Sequence, residues 1–542
     1  MILNNLPDMK KLLVAGALTG VAATGCLDLE VENPNDPDRE RALATASDVE
    51  NLVGGAFSNW WNCQSANSGP GPILMTMAYQ HSSMAANFGM VEFSFPNRIP
   101  AHNLSEDTFH GQNVGNCWTW TWRTVASVVD GLGVIEAGEV ELDEERLARV
   151  EAFGYLNLAL GHAHAALLYD QGYIYEPGMD PEGEEVEQLH PYEDVMEAAF
   201  GYFDRSIQAA ENAPAGTPET PSSWASQSLT VDEIKEIAHS FRARYRANMA
   251  RTPEERQAVD WDAVVADVEQ GISENFEIRV TSGSGFSSGN LVNTSRLGAW
   301  GQLHMQVAGM ADQSGNYQTW IALDPDDRQP IIDDENMLIH TPDERFAQGD
   351  DVDEQTENPG THYGINTGPG GAGAQWVRSD RGTFRWSWYR ATVLDMWNEP
   401  AADRTTWPEI TMDEMNLLVA EAYYYAGEEG AAADIINETR EAAGLSATDA
   451  SGVNESCVPR LANEECGDLF EMLKWEVRMQ TMYKGLNMAS WYFHGRGWGD
   501  LREGTFLQIP APAEELLLLG EEPYTFGGPG GESSAPVGNY GY

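Results

Sequence analysis

Residues Thr411 to Leu445, TMDEMNLLVAEAYYYAGEEGAAADIINETREAAGL, spell two helices folded against each other. Thr411 followed by Glu414 has the form of a capping box, and Ile410 with Met415 can close a hydrophobic staple outside it. Met415, Leu418, Ala422 and Tyr425 recur at helical spacing and mark one buried face. Gly427-Glu428-Glu429-Gly430 breaks the helix. The second helix carries Ala432, Ile435, Ile436 and Thr439 and ends at Gly444, a natural left-handed C-terminal cap.

A helix pair of about 34 residues with small residues at the crossing is the tetratricopeptide unit. One such unit cannot bury its own face, so the chain needs others. Upstream, Ser47–Trp61 opens with Ser47 and Glu50 in capping-box spacing and shows Val49, Leu52, Val53, Ala56, Phe57 and Trp60 on one face. Further helices are predicted at about 118–136, 144–169, 191–212, 231–250 (behind the box Thr230…Glu233) and 261–272. Another lies downstream at about 469–483. Together they give three or four helix pairs. The expected fold is mainly α, a superhelical body of tetratricopeptide-like pairs over about 41–275 and 409–505.

Two stretches have a different texture. Residues 64–113 are loop-rich and hold Tyr79, His81, Phe88, Phe93, Phe95, Arg98 and His102. Residues 280–408 are dominated by Gly, Ser, Asn, Asp and Pro, as in TSGSGFSSGN and THYGINTGPGGAGAQW, with short alternating runs such as Phe384–Tyr389 that read as half-buried strands. A loop region this long inside a globular chain is usually functional. Gly485–Gly504 is a glycine-rich aromatic run, and the tail from about 520 to 542 reads as extended.

The formal charge of −54 excludes nucleic acid, whose backbone such a surface repels, and equally an anionic membrane surface. It gives a solvated acidic shell that keeps the protein soluble, also in salt. The acidic loops Asp324–Asp327 and Asp333–Glu335 are calcium candidates without the spacing of a known calcium loop, and no other cofactor is implied.

At the N-terminus, Lys10 and Lys11 precede an apolar run from Leu12 to Ala23, too short to span a membrane and laid out as a secretory signal. Ala23-Thr24-Gly25-Cys26 fits a bacterial lipobox, which makes residues 1–25 a signal peptide, Cys26 the lipidated residue and residues 26–40 a tether. Four further cysteines, Cys63, Cys117, Cys457 and Cys466, allow three disulfide pairings, of which the local one, Cys63–Cys117 and Cys457–Cys466, is preferred. Zinc is the weaker alternative, since no CxxC occurs.

Several of these segments resemble the SusD/RagB family of outer-membrane nutrient-binding lipoproteins. Cys26-Leu27-Asp28-Leu29-Glu30 and Asn33-Pro34-Asn35-Asp36 are similar to its lipidated leader, and Ala420-Glu421-Ala422 through Ile436–Leu445 to its AEA…AGL helix pair. Trp475-Glu476-Val477-Arg478, Gly497–Arg502, Ile509-Pro510-Ala511-Pro512 and Glu515-Leu516 resemble its C-terminal elements, and Pro96-Asn97-Arg98 with Asn103 an early-loop element. Val477 splits the family's glutamate-arginine dipeptide, and the run after Gly485 is richer in aromatics, which marks a divergent branch. The resemblance implies a non-enzymatic lipoprotein on the outer face of the outer membrane. It would bind oligosaccharides, or in some cases peptides, and pass them to a SusC-like TonB-dependent transporter barrel.

Sugar binding needs flat apolar rings for pyranose faces and amides, carboxylates and arginines for hydroxyls. Of 17 Trp and 19 Tyr, those beside glycine-rich loops are the best candidates. The candidate ligand residues are therefore Phe95, Arg98, Asn103, Tyr317, Trp320, Tyr363 and Trp376, while Trp386 and Trp388 alternate on a strand and are assigned to the core. His162 and His164 point to different helix faces and make no metal pair, and no HExxH, GxSxG or phosphate-binding loop is evident. A helical glycoside hydrolase remains as an alternative, and behind it an outer-membrane assembly scaffold, which would not need the long middle insertion.

Overall fold

The computed structural model describes residues 45–66, 68–82, 109–179, 188–280, 302–324, 338–366, 386–397, 406–502 and 504–526, with 43, 90, 101–102 and 286 between them. Cys26, Phe95, Arg98, Asn103 and Trp376 lie outside these residues.

The body is built from helix α1 (Ala46–Ser65), α2 (Gly71–Met77), α3 (Phe109–Glu136), α4 (Glu144–Leu168), α5 (Tyr192–Glu211), α6 (Val231–Asn248) and α7 (Trp261–Glu269). Two short helices of the insertion follow, α8 (Met305–Ala311) and α9 (Asn316–Ile321). The body resumes with α10 (Met412–Ala426), α11 (Glu429–Ala442), α12 (Leu469–Thr481), α13 (Ser490–Trp498) and α14 (Ala513–Leu518). Four antiparallel pairs follow one another: α1 on α3, α4 on α5, α6 on α7, and α10 on α11, with α12 closing the last. The architecture is mainly α, as the periodicity implies.

Local chemistry sets most helix starts. Thr230 and Glu233 form the complete capping box on α6, and Asp143, Asp260 and Asp468 cap α4, α7 and α12. Gly427 ends α10 in the left-handed conformation (φ 76°). Two expected boxes differ. Thr45, rather than Ser47, caps α1 and accepts from the Asp48 N–H at 3.2 Å. Glu50 is turned inward between Arg146 and Arg149. Thr411 caps α10 as expected, but Glu414 points into the core toward Arg244 instead of back to the cap. In both cases a buried carboxylate takes a guanidinium partner in preference to the backbone N–H of the cap.

Small residues mark where helices cross. Gly131 of α3 and Gly154 of α4 both face Val53 of α1, and a Cβ would lie 2.3 and 2.8 Å from its methyl groups. Gly131→Leu is therefore expected to lower stability by about 1–3 kcal/mol in urea unfolding, through overpacking. An unchanged midpoint would show that this three-helix crossing yields.

The carbonyl end of α4 is capped from two sides by buried cations. Arg251 donates to the carbonyls of Ala166 (2.9 Å) and Tyr169 (2.7 Å), and Arg496 to those of Leu167 (3.0 Å), Leu507 (2.8 Å) and Asn248 (3.0 Å). Cations there satisfy carbonyls that the helix itself leaves open. Burial still pulls the Arg496 pKa down to about 9.

The glycine-rich aromatic run 485–504 folds into a left-handed turn and helix α13. Trp491, Tyr492 and Phe493 are all buried, and the Trp491 Nε1–H and Tyr492 hydroxyl donate to the carbonyls of Arg478 and Phe506. Burial on every side holds the helix in spite of Gly495 and Gly497.

The strands are short: β1 (Ala101–His102), β2 (Gln171–Gly172), β3 (His190–Pro191), β4 (Phe276–Arg279), β5 (Gln302–His304), β6 (Tyr363–Ile365), β7 (Trp386–Ala391), β8 (Thr406–Ile410) and β9 (Thr525–Phe526). β4 pairs antiparallel with β8, Arg279 opposite Thr406, so the insertion leaves and rejoins the body side by side. Inside it, β5, β7 and β6 form one antiparallel sheet in that order. Disulfides join Cys63 to Cys117 and Cys457 to Cys466.

Candidate functional site at the junction of the two loop-rich segments

The early loop-rich segment and the insertion meet where α2 ends. The N–H of Ser82 donates to the carbonyl of Gln302 at 2.7 Å, joining chain segments 220 residues apart. Around that bond, the Tyr79 and His304 rings lie 4.4 Å apart, and His81 faces Tyr483 at 6.2 Å. The Gln80 side-chain amide donates to the carbonyl of Met488.

The polar groups here are under-satisfied. Gln80 Oε1, both ring nitrogens of His81, Ser82 Oγ, Gln302 Oε1 and the Tyr483 hydroxyl are buried and have no hydrogen-bond partner among the described residues. Burial lowers the His81 pKa to about 3, with a smaller opposing effect from the Pro72 carbonyl, which lies near the ring but outside hydrogen-bonding geometry. His81 is thus neutral at any physiological pH. Orphaned buried polar groups are rare, and a cluster of them marks a place where something polar can be received.

The backbone is strained at the same place. Tyr79 (φ 60°), Tyr483 (58°), Leu486 (43°), Asn487 (60°) and Met488 (60°) are all left-handed non-glycine residues. Each costs on the order of 1–3 kcal/mol, and such residues gather at functional sites. The turn is held from beneath. Gln64 Oε1 accepts from the Asn487 N–H (2.7 Å), and the Asn487 amide donates to the Cys63 carbonyl (2.8 Å). The Gln64 amide donates to His164 Nε2 (3.0 Å), which leaves the proton on His164 Nδ1 facing the Tyr245 hydroxyl at 3.3 Å. Burial lowers the His164 pKa to about 3, so this arrangement is neutral.

Beside the junction, Tyr79, Gln306, Arg478, Trp491 and Asp500 line a cavity of about 10 Å³, roughly the room of one water. Arg478 and Lys474 both donate to Asp500 there, at 2.5 and 3.0 Å. A metal is not held at Cys63, Cys117 and His164, although the three lie together, because the two sulfurs are bonded to each other. Among the described residues no other such group occurs.

Of the aromatics singled out beside glycine-rich loops, two belong to the core. Trp320 is 2 % exposed, because α9 turns it inward while Tyr317, one turn earlier, stacks on it at 6.1 Å. Tyr363 is 0 % exposed, with its ring 4.9 Å from Phe346, which in turn stacks on Trp475. Tyr317 alone among the described candidates keeps partial exposure, its ring lying flat over Gly309, where a Cβ would come within 2.3 Å. The side chains of Trp386 and Trp388 lie outside the described residues.

Asp312 places Tyr317. Its buried carboxylate accepts from the N–H groups of Ser314, Gly315, Tyr317 and His340 and from the Ser314 hydroxyl, at 2.6 to 3.1 Å. Asp312→Ala would strand these donors and is expected to cost about 1–3 kcal/mol in chemical denaturation. A loss below a few tenths would show that water replaces the carboxylate.

The residues sequence reasoning passed over are Gln80, Ser82 and Gln302. Their one signal is a polar Gln80-His81-Ser82 run following the apolar GPILMTMAY, which names no partner.

No family model matches the chain, and no curated protein does. Solved structures do. NanU of B. fragilis superposes over 93% of this chain and 99% of its own, with a TM-score of 0.52 at 12% identity. The chain has the SusD-like fold. A SusD superfamily protein from Bacteroides fragilis is similar over 88% of this chain and 98% of its own, at 12% identity and a TM-score of 0.49. A SusD-like carbohydrate binding protein from Bacteroides vulgatus is similar over 92% and 94%, at 12% identity and a TM-score of 0.46. Within the SusD-like fold of this chain, the four helix pairs are the rigid frame, and the junction of Ser82 with Gln302 is where its irregular layer is fastened.

Proposed function

We propose that this protein is a lipid-anchored binding protein of the outer membrane that captures oligosaccharides and hands them to a SusC-like TonB-dependent transporter, without turning them over. The observation that carries the binding reading is the convergence of the two loop-rich segments on one strained, uncharged and under-satisfied polar junction. Gln80, His81, Ser82 and Gln302 offer neutral donors and acceptors of the kind that hydroxyl groups engage. A frame of packed helices that carries loops is the usual arrangement of a recognition surface. Lipidation at Cys26 and the barrel partner rest on the lipobox and on the family resemblance.

The test is isothermal titration of the purified protein against neutral oligosaccharides, acidic oligosaccharides and peptides. Saturable binding of a glycan without release of reducing ends is expected. Gln80→Leu with Gln302→Leu is expected to weaken it about tenfold, the value of one or two hydrogen bonds. Binding of peptides alone would replace the ligand class, and hydrolysis of the glycan would overturn the reading in favour of a hydrolase. Co-purification of a large β-barrel from the native membrane tests the partner.

A further inference from the structure

A second recess lies on the helical body, away from the insertion. It encloses about 520 Å³ at the C-terminal end of α3 and is walled by Val129, Val134, Ala137 and Met179, with Asp130 and Glu139 on its rim. Cavities of a few hundred Å³ hold side chains or small ligands, and this one pairs an apolar floor with two carboxylates. Leu43 also lines it. That residue is the first of the described residues.

The leader's own sequence supplies a match. Between Cys26 and Leu43 the only basic residues are Arg39 and Arg41, set in an otherwise acidic stretch immediately before Leu43. Two residues span at most about 7 Å, so Arg41 is within reach of the recess wall, and Arg39 of its rim. A guanidinium with its long aliphatic stem suits a site that is apolar below and acidic above. The six carboxylates of Asp28 to Glu40 would be repelled from the same site, which leaves the arginines as the groups that fit.

We propose that the leader docks through Arg41 and Arg39 into the recess at the end of α3, against Asp130 and Glu139. The consequence is directional. Asn487, at the ligand junction, lies against Cys117 near the start of α3, and Gly133 lines the recess sixteen residues further on. At 1.5 Å per residue the two are about 24 Å apart along one straight helix. A docked leader therefore makes the chain depart toward its anchor from the end of α3 opposite the junction. The display consequence rests on the anchored reading above, whereas the docking itself does not.

Limited trypsin digestion of the full chain tests it, since trypsin cuts after Arg39 and Arg41. In the native protein both sites are expected to be protected. In Asp130→Asn with Glu139→Gln, with the urea unfolding midpoint measured alongside to show that the body stays folded, cleavage is expected to be about tenfold faster, reporting a leader released from its site. The same acceleration is expected for the native protein in 1 M salt, as the Debye length shrinks to about 3 Å. Equal cleavage rates in native and variant protein would overturn the docking. The mass of the released N-terminal peptide is read in the same digest. A lipid-free Cys26 would overturn the anchored reading while leaving the docking intact.

Discussion

Replacing Arg345 with methionine is expected to lower stability by about 3–5 kcal/mol, because it takes the nearest cation from two buried carboxylates at once and leaves Glu476 only Arg440, at 3.8 Å. Arg345 donates to Asp343 through Nε and one terminal nitrogen, both at 2.8 Å, and to Glu476 at 2.7 and 3.0 Å. The Arg345 backbone N–H and the Trp475 indole add two further donors to Asp343, both at 3.0 Å. Burial alone would push the Asp343 carboxyl up, but Arg345 and Trp475 hold it below its ordinary value. This cluster joins the insertion to α12, so its loss should loosen the irregular layer first. Urea unfolding monitored by tryptophan fluorescence checks the figure. Glu476→Gln is the control: it leaves Asp343 to neutralise Arg345 and is expected to cost less than half as much. A loss under about 1 kcal/mol for Arg345→Met would mean that water enters and solvates the two acids.

The second large effect is one of pH. Arg244 is shared by two carboxylates within the core. It gives two bonds to Glu414, at 2.7 and 2.6 Å, but only one to the Glu409 side chain, at 2.8 Å. The Arg244 pKa is raised although burial opposes it, while the Glu409 pKa is raised to about 7 because burial outweighs the pull of Arg244. Glu409, with the fewer bonds to Arg244, is the carboxyl that keeps its proton. A carboxyl whose folded pKa lies above its unfolded value contributes stability that is complete below the unfolded pKa and is lost as pH rises through the folded one. Stability is therefore expected to fall between pH 4.5 and about 7, by at most about 3 kcal/mol from this group. Glu409→Gln should remove that slope, being less stable than or equal to the native protein at pH 4.5 and more stable at pH 8. Parallel stability curves for the two proteins would sink the assignment.

What the sequence made legible follows from how local each signal is. The capping box of Thr230 and Glu233, the left-handed cap at Gly444 and the pairing of α10 with α11 depend on neighbours within a few residues, and all are found where the sequence places them. Glu50 and Glu414 sit in cap spacing too, yet their partners Arg146, Arg149 and Arg244 come from other helices. Spacing cannot distinguish an exposed cap from a buried ion pair. The same limit explains the aromatics. Beside a glycine-rich loop, Tyr363 looks available, but Phe346 packs against it, and Phe346 is itself backed by Trp475 from more than a hundred residues away. The junction of Ser82 with Gln302 was invisible for the same reason, since nothing in either segment names the other. The SusD-like architecture was readable because helix pairs repeat, whereas the ligand side is assembled from single long-range contacts.

The pairing of β4 with β8 also bears on how such a protein can change over generations. Arg279 and Thr406 face each other across one ladder, so the 126 residues between them hang from two adjacent points on the frame. A segment attached in that way is an exchangeable cassette. Recombination or gradual drift can swap one recognition layer for another, because its closure is set by the ladder and the entropy of a longer or shorter loop changes only slowly with length. The exchange has one condition. Glu476 belongs to the frame, and of its two guanidinium partners the nearer, Arg345 at 2.7 Å, belongs to the cassette, while Arg440 of the frame stands at 3.8 Å, so an incoming layer that brings no cation to that spot leaves the acid to Arg440 alone.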